Sequence, residues 1–239
     1  MNATPVYTLT IPSTGKEFKY RPFLVRDEKA LLIAQQSEDP IVMLDSIKNV
    51  IESCAKSDVN VNTLSSFDVE YIFLNLRSVS IGEIIALRFK CDNDHGADNE
   101  KAYAEINVDL RTAKVVGLPT NGQKPNKIDL FGDVGVMMKY PTIDTIKKLD
   151  EAEGGDIDQA FDIVVDCIDY IYSADEVFLA KDQKREELIE FLNNLTSDQY
   201  QQIQRFFRTM PSLRIDIQYT CPVCGKVHNK YLEGLESFF

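Results

Sequence analysis

The side chains best suited to chemistry lie in two short turns 130 positions apart. One stretch runs Leu87-Arg-Phe-Lys-Cys91-Asp-Asn-Asp94-His95-Gly96 and the other Ile217-Gln-Tyr-Thr-Cys221-Pro-Val-Cys224-Gly225-Lys226. Each is an alternating strand that runs into a cysteine and a tight turn. The second turn has the form of a zinc knuckle, with two thiolates offered by one turn and glycine where the backbone needs positive φ. Structural zinc takes four N, S or O donors in a tetrahedron. The spacing predicts one structural zinc ion held by Cys91, His95, Cys221 and Cys224. Asp94 stands where a symmetric ribbon would carry another cysteine, and carboxylate is a poorer structural ligand than thiolate. His228 is a further candidate ligand.

Two other readings of these cysteines stay open. One is a pair of turns that keeps the hairpin geometry without a metal. The other is a redox Cys-x-x-Cys pair, which needs a strand-to-helix setting. Here a glycine, a polar run and a strand follow instead.

Signals for catalysis are sparse. The two histidines, His95 and His228, both neighbour cysteines. A Cys-His nucleophile would need an oxyanion donor, and none is evident beside these polar turns. No nucleophile elbow, phosphate-binding loop or Gly-x-Gly-x-x-Gly run is present. Asp156, Asp158, Asp162, Asp166 and Asp169 read as a solvated helix face without EF-hand spacing. The expectation is a non-enzyme, with no small-molecule substrate.

The totals narrow the partners. The chain has 239 residues and a formal net charge of −12, which disfavours nucleic acid or an anionic membrane as a general partner. No apolar run approaches the roughly 18 residues needed to span a bilayer, and no export signal is visible. Five cysteines are too odd a count for a disulfide framework. Cys54 and Cys167 fall on apolar helical patterns and read as core thiols.

The elements that must position the two turns follow from periodicity. Residues 6–22 read as a hairpin about Pro12-Ser-Thr-Gly-Lys16. Helices are expected over 26–34, from Pro40 through Cys54, and over 66–79, where Ser65 would cap and Phe67, Tyr71 and Leu74, joined by Ile72 and Phe73, would form the buried face. Strands 81–89 and 104–110 flank the first turn, and 213–219 and 227–232 flank the second. Residues 118–127 read as a loop and an internal boundary, followed by a strand over 134–140. Helices are expected over 143–149, 161–172 and 184–195, with a break at 151–156. A capping box of Thr196 and Gln199 opens a last helix through Arg208. The predicted class is α+β. Its antiparallel sheet would be built from the N-terminal hairpin and two side-by-side knuckle hairpins, zinc-ribbon-like, with segregated helices. Residues 1–239 then form a single domain with a helical insertion over 141–210 and a C-terminal knuckle hairpin over 213–232. Phe206, Phe207, Met210 and the final Phe238 and Phe239 are packing residues or a partner contact.

Several stretches carry a family resemblance. They are Thr10-Ile-Pro-Ser-Thr-Gly-Lys-Glu17, Tyr20-Arg-Pro-Phe-Leu-Val25, Glu28-Lys-Ala-Leu-Leu-Ile-Ala34, Phe67-Asp-Val-Glu-Tyr-Ile-Phe-Leu74, Arg77-Ser-Val-Ser-Ile-Gly-Glu83 and Phe89-Lys-Cys91. In combination they resemble the baseplate hub subunits and hub-assembly proteins of T4-like contractile-tailed bacteriophages. The resemblance is strongest over roughly the first 90 residues. It implies a late viral protein that binds other baseplate hub or tail proteins, with the tape-measure protein a candidate partner. It would be found in the host cytoplasm during assembly and in the tail baseplate of the virion. The rival within that class is a tail-assembly chaperone absent from the mature particle. The rival from another class is a zinc- or thiol-dependent enzyme. Helices 40–54, 66–79 and 161–172 are the expected partner surfaces.

Overall fold

Pro12 to Gly15 reverse the chain and lay strand β1 (Tyr7–Thr10) antiparallel to β2 (Glu17–Tyr20), with Leu9 opposite Phe18. The computed structural model describes residues 4–96, 99–120, 124–150 and 157–234, and their side chains except those of 149, 150 and 157–160. Helix α1 (Val25–Gln36) ends at Glu38, whose φ of 55° turns the chain sharply. Asp39 then caps α2 (Pro40–Cys54) by accepting from the Ile41 amide at 2.9 Å, and Pro40 fills the first helical position, where a missing N–H does no harm.

Helix α3 (Ser66–Ser80) is the axle of the molecule. Phe73 and Ile72 pack with Phe18, Ile47 and Ile51 in a first core. Leu74 faces a third core with Leu213 and Ile215. Phe67 meets Tyr140 edge-on at 5.2 Å, at the border of the second core. Each buried Phe, Ile or Leu contributes roughly 1.5–3 kcal/mol of transfer free energy. One helix thus ties three cores together. Its buried Asp68 accepts from the Ser13 amide at 2.9 Å and from the hydroxyls of Ser13 and Ser65, which fastens the N-terminal turn to the start of α3.

Two further hairpins carry the cysteine turns. Strands β3 (Ile84–Lys90) and β4 (Tyr103–Asp109) pair antiparallel. Late in the chain β10 (Ser212–Thr220) pairs with β11 (Val227–Glu233) and, on its other edge, with β5 (Lys114–Val116). The second core lies between these elements in sequence. It packs the sheet β6-β7-β8-β9 (Lys127–Phe131, Val134–Met138, Ile168–Tyr172, Val177–Leu179) against α5 (Ile157–Asp166), α6 (Arg185–Asn193) and α7 (Ser197–Thr209). Helix α4 (Ile143–Asp150) bridges to the first core through Ile143. The chain enters this region at Gly117 and leaves it at Pro211. The two are neighbours: a Cβ on Gly117 would stand 3.5 Å from Pro211 Cα.

The α+β class is as expected, and four details differ. First, the three hairpins form separate sheets instead of one, because the knuckle hairpins meet through side chains, with the Phe89 and Tyr219 rings stacked at 5.3 Å. Second, the helix expected over 161–172 ends at Asp166, and residues 168–172 form β8, whose backbone groups are claimed by β7 and β9. Third, the region 141–210 is therefore not purely helical, and the expected loop over 118–127 already enters β6 at Lys127. Fourth, helix 66–79, expected as a partner surface, has nine of its residues buried and the rest half-buried. The expected break at 151–156 and the aromatics Phe238 and Phe239 lie outside the described residues.

Candidate metal centre

The site begins with how two strands end. Cys91 follows β3, and its amide donates to the Ala102 carbonyl at 3.0 Å, which closes the first hairpin around the turn. Cys221 follows β10. Its amide donates to the Lys226 carbonyl at 2.9 Å, and the Gly225 amide returns to the Cys221 carbonyl at 3.0 Å. Gly225 has φ of 70°, a conformation that a side chain would strain. The Tyr219 hydroxyl donates to the Lys90 carbonyl at 3.0 Å and so locks one hairpin to the other just below the cysteines.

These constraints bring the four expected ligands together. The ligand atoms of Cys91, His95, Cys221 and Cys224 all lie within 4.8 Å of one another. Cys91 Sγ is 3.8 Å from Cys224 Sγ, and Cys221 Sγ is 3.5 Å from His95 Nε2. A tetrahedron with Zn–S near 2.3 Å and Zn–N near 2.0–2.1 Å has edges of about 3.8 Å (S to S) and about 3.5 Å (S to N). Two of the six edges thus match a tetrahedral ion, and the donor types suit zinc. The cluster could hold a metal ion. Cys91 and Cys221 are buried, His95 is half-buried and Cys224 is exposed.

The surroundings favour thiolate at the knuckle. At Cys221 burial opposes ionisation, but the amides of Cys224 and Val223 outweigh it and bring the thiol below its usual value. The Lys226 amide does the same for Cys224. Burial pushes the Cys91 thiol up. Cys54 and Cys167, the two expected core thiols, are buried, and burial pushes them up to about 11 and about 12. All five cysteines are free thiols.

His228 stands beside the cluster rather than within the set of four. Its Nε2 lies 3.3 Å from Cys91 Sγ, and its ring stacks on Tyr219 at 4.7 Å. Asp92 holds its other side: Oδ2 is 3.1 Å from Nδ1, while Oδ1 accepts from Lys230 at 2.6 Å. A carboxylate on the far nitrogen is the usual way to orient an imidazole at a metal site. Asp94 accepts from the Gly96 amide at 2.8 Å and shapes the turn. Sequence reasoning passed over Asp92 and Asn93. The Asn93 amide donates to Cys91 Sγ at 3.4 Å and its Nδ2 to Cys224 Sγ at 3.5 Å, crossing between the two turns. Their position directly after Cys91 was the available signal, since turn amides after a ligand cysteine commonly face its sulfur.

The acidic residues flagged on the middle helix have another use. Asp162 and Asp166 both receive Arg185, at 2.7 and 2.6 Å, which fastens α5 to α6. No helix among the described residues is long and apolar enough to cross a membrane.

The family of T4 bacteriophage base plate proteins matches residues 4–239, nearly the whole chain and both cysteine turns. The chain belongs to that family. It is thus a phage baseplate protein. Over 234 residues it is 20% identical to the baseplate hub assembly protein gp26 of Enterobacteria phage T4, an alignment that covers 98% of this chain and 97% of that protein. No solved structure matches it.

Proposed function

We propose that this baseplate protein is a non-enzymatic component of hub assembly in a contractile tail, acting by binding other baseplate hub or tail proteins. The observation that carries this reading is the end-to-end alignment with a hub assembly protein, 98% of one chain against 97% of the other. The alignment runs the length of both chains and is not confined to one shared segment. The acidic surface and the lack of a catalytic constellation in the sequence agree with a binding role.

The same reading assigns one structural zinc ion to Cys91, His95, Cys221 and Cys224. Its chemistry there would be to clamp two hairpins that share no backbone ladder. Residues 1–239 would then work as one unit, with the region between Gly117 and Pro211 inserted into it. The tape-measure protein is a candidate partner. The host cytoplasm during assembly and the tail baseplate are the candidate places.

The test is infection with a phage that lacks this chain, followed by electron microscopy of the lysate and mass spectrometry of purified tails from the parent phage. Missing or arrested baseplates support the assembly role, and normal baseplates overturn it. Fixed copy number in parental tails makes the protein a building block. Abundance in lysate with none in tails makes it a chaperone that leaves.

A further inference from the structure

A groove on the opposite part of the molecule is not used by the metal centre. Its volume is about 450 Å³. Met43, Leu44 and Ile47 of α2 and Ile143 and Ile146 of α4 make an apolar floor, and Glu70 of α3 reaches into it. Glu38, Asp39 and Glu233 stand at the rim. Its lining thus carries four carboxylates and, among the described residues, no lysine, arginine or histidine. A smaller hollow of about 180 Å³ adjoins it across Gln35 and Met43, where Glu28 and Arg77 balance each other in sign.

We infer that this groove receives an apolar segment of another baseplate protein that carries a lysine or arginine between its apolar side chains. The floor supplies aliphatic surface for the apolar side chains. Glu70 supplies the counter-charge within the groove. Apolar contact alone would admit any greasy segment, and the carboxylates select one with a cation. The state of Glu70 agrees: burial, reinforced by the nearby Glu233 charge, pushes its carboxyl up to about 7. A cation seated there would relieve that penalty.

This inference rests on the reading that the chain works by binding other baseplate proteins. The closing experiment is separable from the infection test, because it uses the purified full-length chain. Overlapping 15-residue peptides covering the other baseplate proteins of the same phage are titrated against it by fluorescence anisotropy at physiological salt. Bound peptides are expected to pair apolar residues with a lysine or arginine. Replacing that cation by glutamine should weaken binding at least tenfold on the parent chain and less than twofold on Glu70→Gln. Met43→Asp should abolish binding, while Asp216→Asn, at an exposed position of β10, should leave it unchanged and so control for the general acidity of the chain. Circular dichroism confirms that each variant is folded. Three results would overturn the inference: no peptide whose binding Met43→Asp abolishes, binding indifferent to the cation, or binding only after residues 235–239 are removed, which would make the chain's own end the occupant.

Discussion

Ile11 and Cys221 hold the same place in two copies of one turn. The Ile11 amide donates to the Lys16 carbonyl at 2.8 Å, as Cys221 does to Lys226 at 2.9 Å. Gly15 returns to Ile11 at 2.9 Å, as Gly225 does to Cys221 at 3.0 Å, and the two glycines have φ of 69° and 70°. The residues read Ile-Pro-Ser-Thr-Gly-Lys and Cys-Pro-Val-Cys-Gly-Lys. Seven positions on, Phe18 stands in one copy and His228 in the other, both buried. The N-terminal hairpin repeats the knuckle turn with Ile11 and Thr14 in place of Cys221 and Cys224, and Phe18 in place of His228. It is held by burial and by Asp68, where the C-terminal copy is held by its polar cluster.

That contrast predicts opposite responses to chelation. Purified protein is expected to carry one zinc per chain by elemental mass spectrometry. Cys221→Ser should fall well below that. At free zinc a hundredfold above the dissociation constant, bound metal adds about 2.7 kcal/mol. Chelation should then lower Tm by roughly 5–10 °C for a domain of this size. Hydrogen exchange should rise in β10 and β11 and stay unchanged in β1 and β2. A Cys221→Ser chain with full metal and full stability would remove the zinc assignment.

Arg21 and Asp27 form a buried pair at 2.8 Å, with Ser53 and the Leu24 amide completing the carboxylate's partners. Burial alone would raise the Asp27 carboxyl, but these donors outweigh it and hold it below its usual value. Its contribution is complete above the unfolded value of about 3.9 and is lost as pH falls through the lower folded value. Asp27→Ala strands the guanidinium and should cost about 3–5 kcal/mol at pH 7. Denaturant titrations should show the gap narrowing below about pH 4, and a constant gap down to pH 2 would contradict the pairing.

Gly135 lies opposite Tyr172 in the β7–β8 ladder, and the tyrosine ring crosses over it. A Cβ there would collide with the Tyr172 hydroxyl and the Ile128 carbonyl. Because one of those is backbone, relaxation is limited. Gly135→Ala should cost about 1–3 kcal/mol or more by the usual penalty of overpacking, and Tyr172→Phe should not rescue it. A neutral Gly135→Ala in thermal unfolding would show that the sheet yields.

Glu70 behaves in the reverse sense to Asp27. Its folded value near 7 is above the ordinary one. Between about 4.5 and 7 the folded chain keeps a proton that the unfolded chain has lost, so stability falls as pH rises through that window. Glu70→Gln should therefore stabilise the protein at pH 8 by about 1–3 kcal/mol and do little at pH 4. A carbon-detected titration of the Glu70 carboxyl checks the value directly, and a midpoint below 5 would contradict it.

Much of this was readable in the residues. Pro40 and the run Met43, Leu44, Ile47, Val50 announced α2, and Thr196 with Gln199 announced α7, because caps and helical spacing are local. The approach of the two turns was suggested because Cys-x-x-Cys-Gly and a cysteine ending a strand are local as well. β8 was misread because Ile168, Ile171 and Tyr172 continue the helical spacing of Phe161, Val164 and Val165. What decided it was the free edge of β7, which sequence does not display. β6 was hidden by the polar run before it, although Ile128 and Leu130 alternate with Asp129 as a strand should. The likeness between the first and last hairpins was masked because the matching positions exchange sulfur for hydrocarbon. The acidic groove is assembled from α1, α2, α3, α4 and the end of β11, so no stretch of chain contains its signal.

Cys221 and His95, 3.5 Å apart, are separated by 126 positions of chain. Synthesis therefore delivers the two halves of the cluster at different times. Cys91 and His95 emerge early and wait as half a site, with two donors where four are needed to fix a tetrahedral ion. The clamp cannot close until the knuckle at Cys221 and Cys224 has left the ribosome, after every helix and the whole inserted region. A chain interrupted before Cys221 retains the residues of its first core but lacks β11 and the groove wall that β11 supplies. Closure of the cluster in this sense records that both hairpins have been made, whichever proteins the chain then meets.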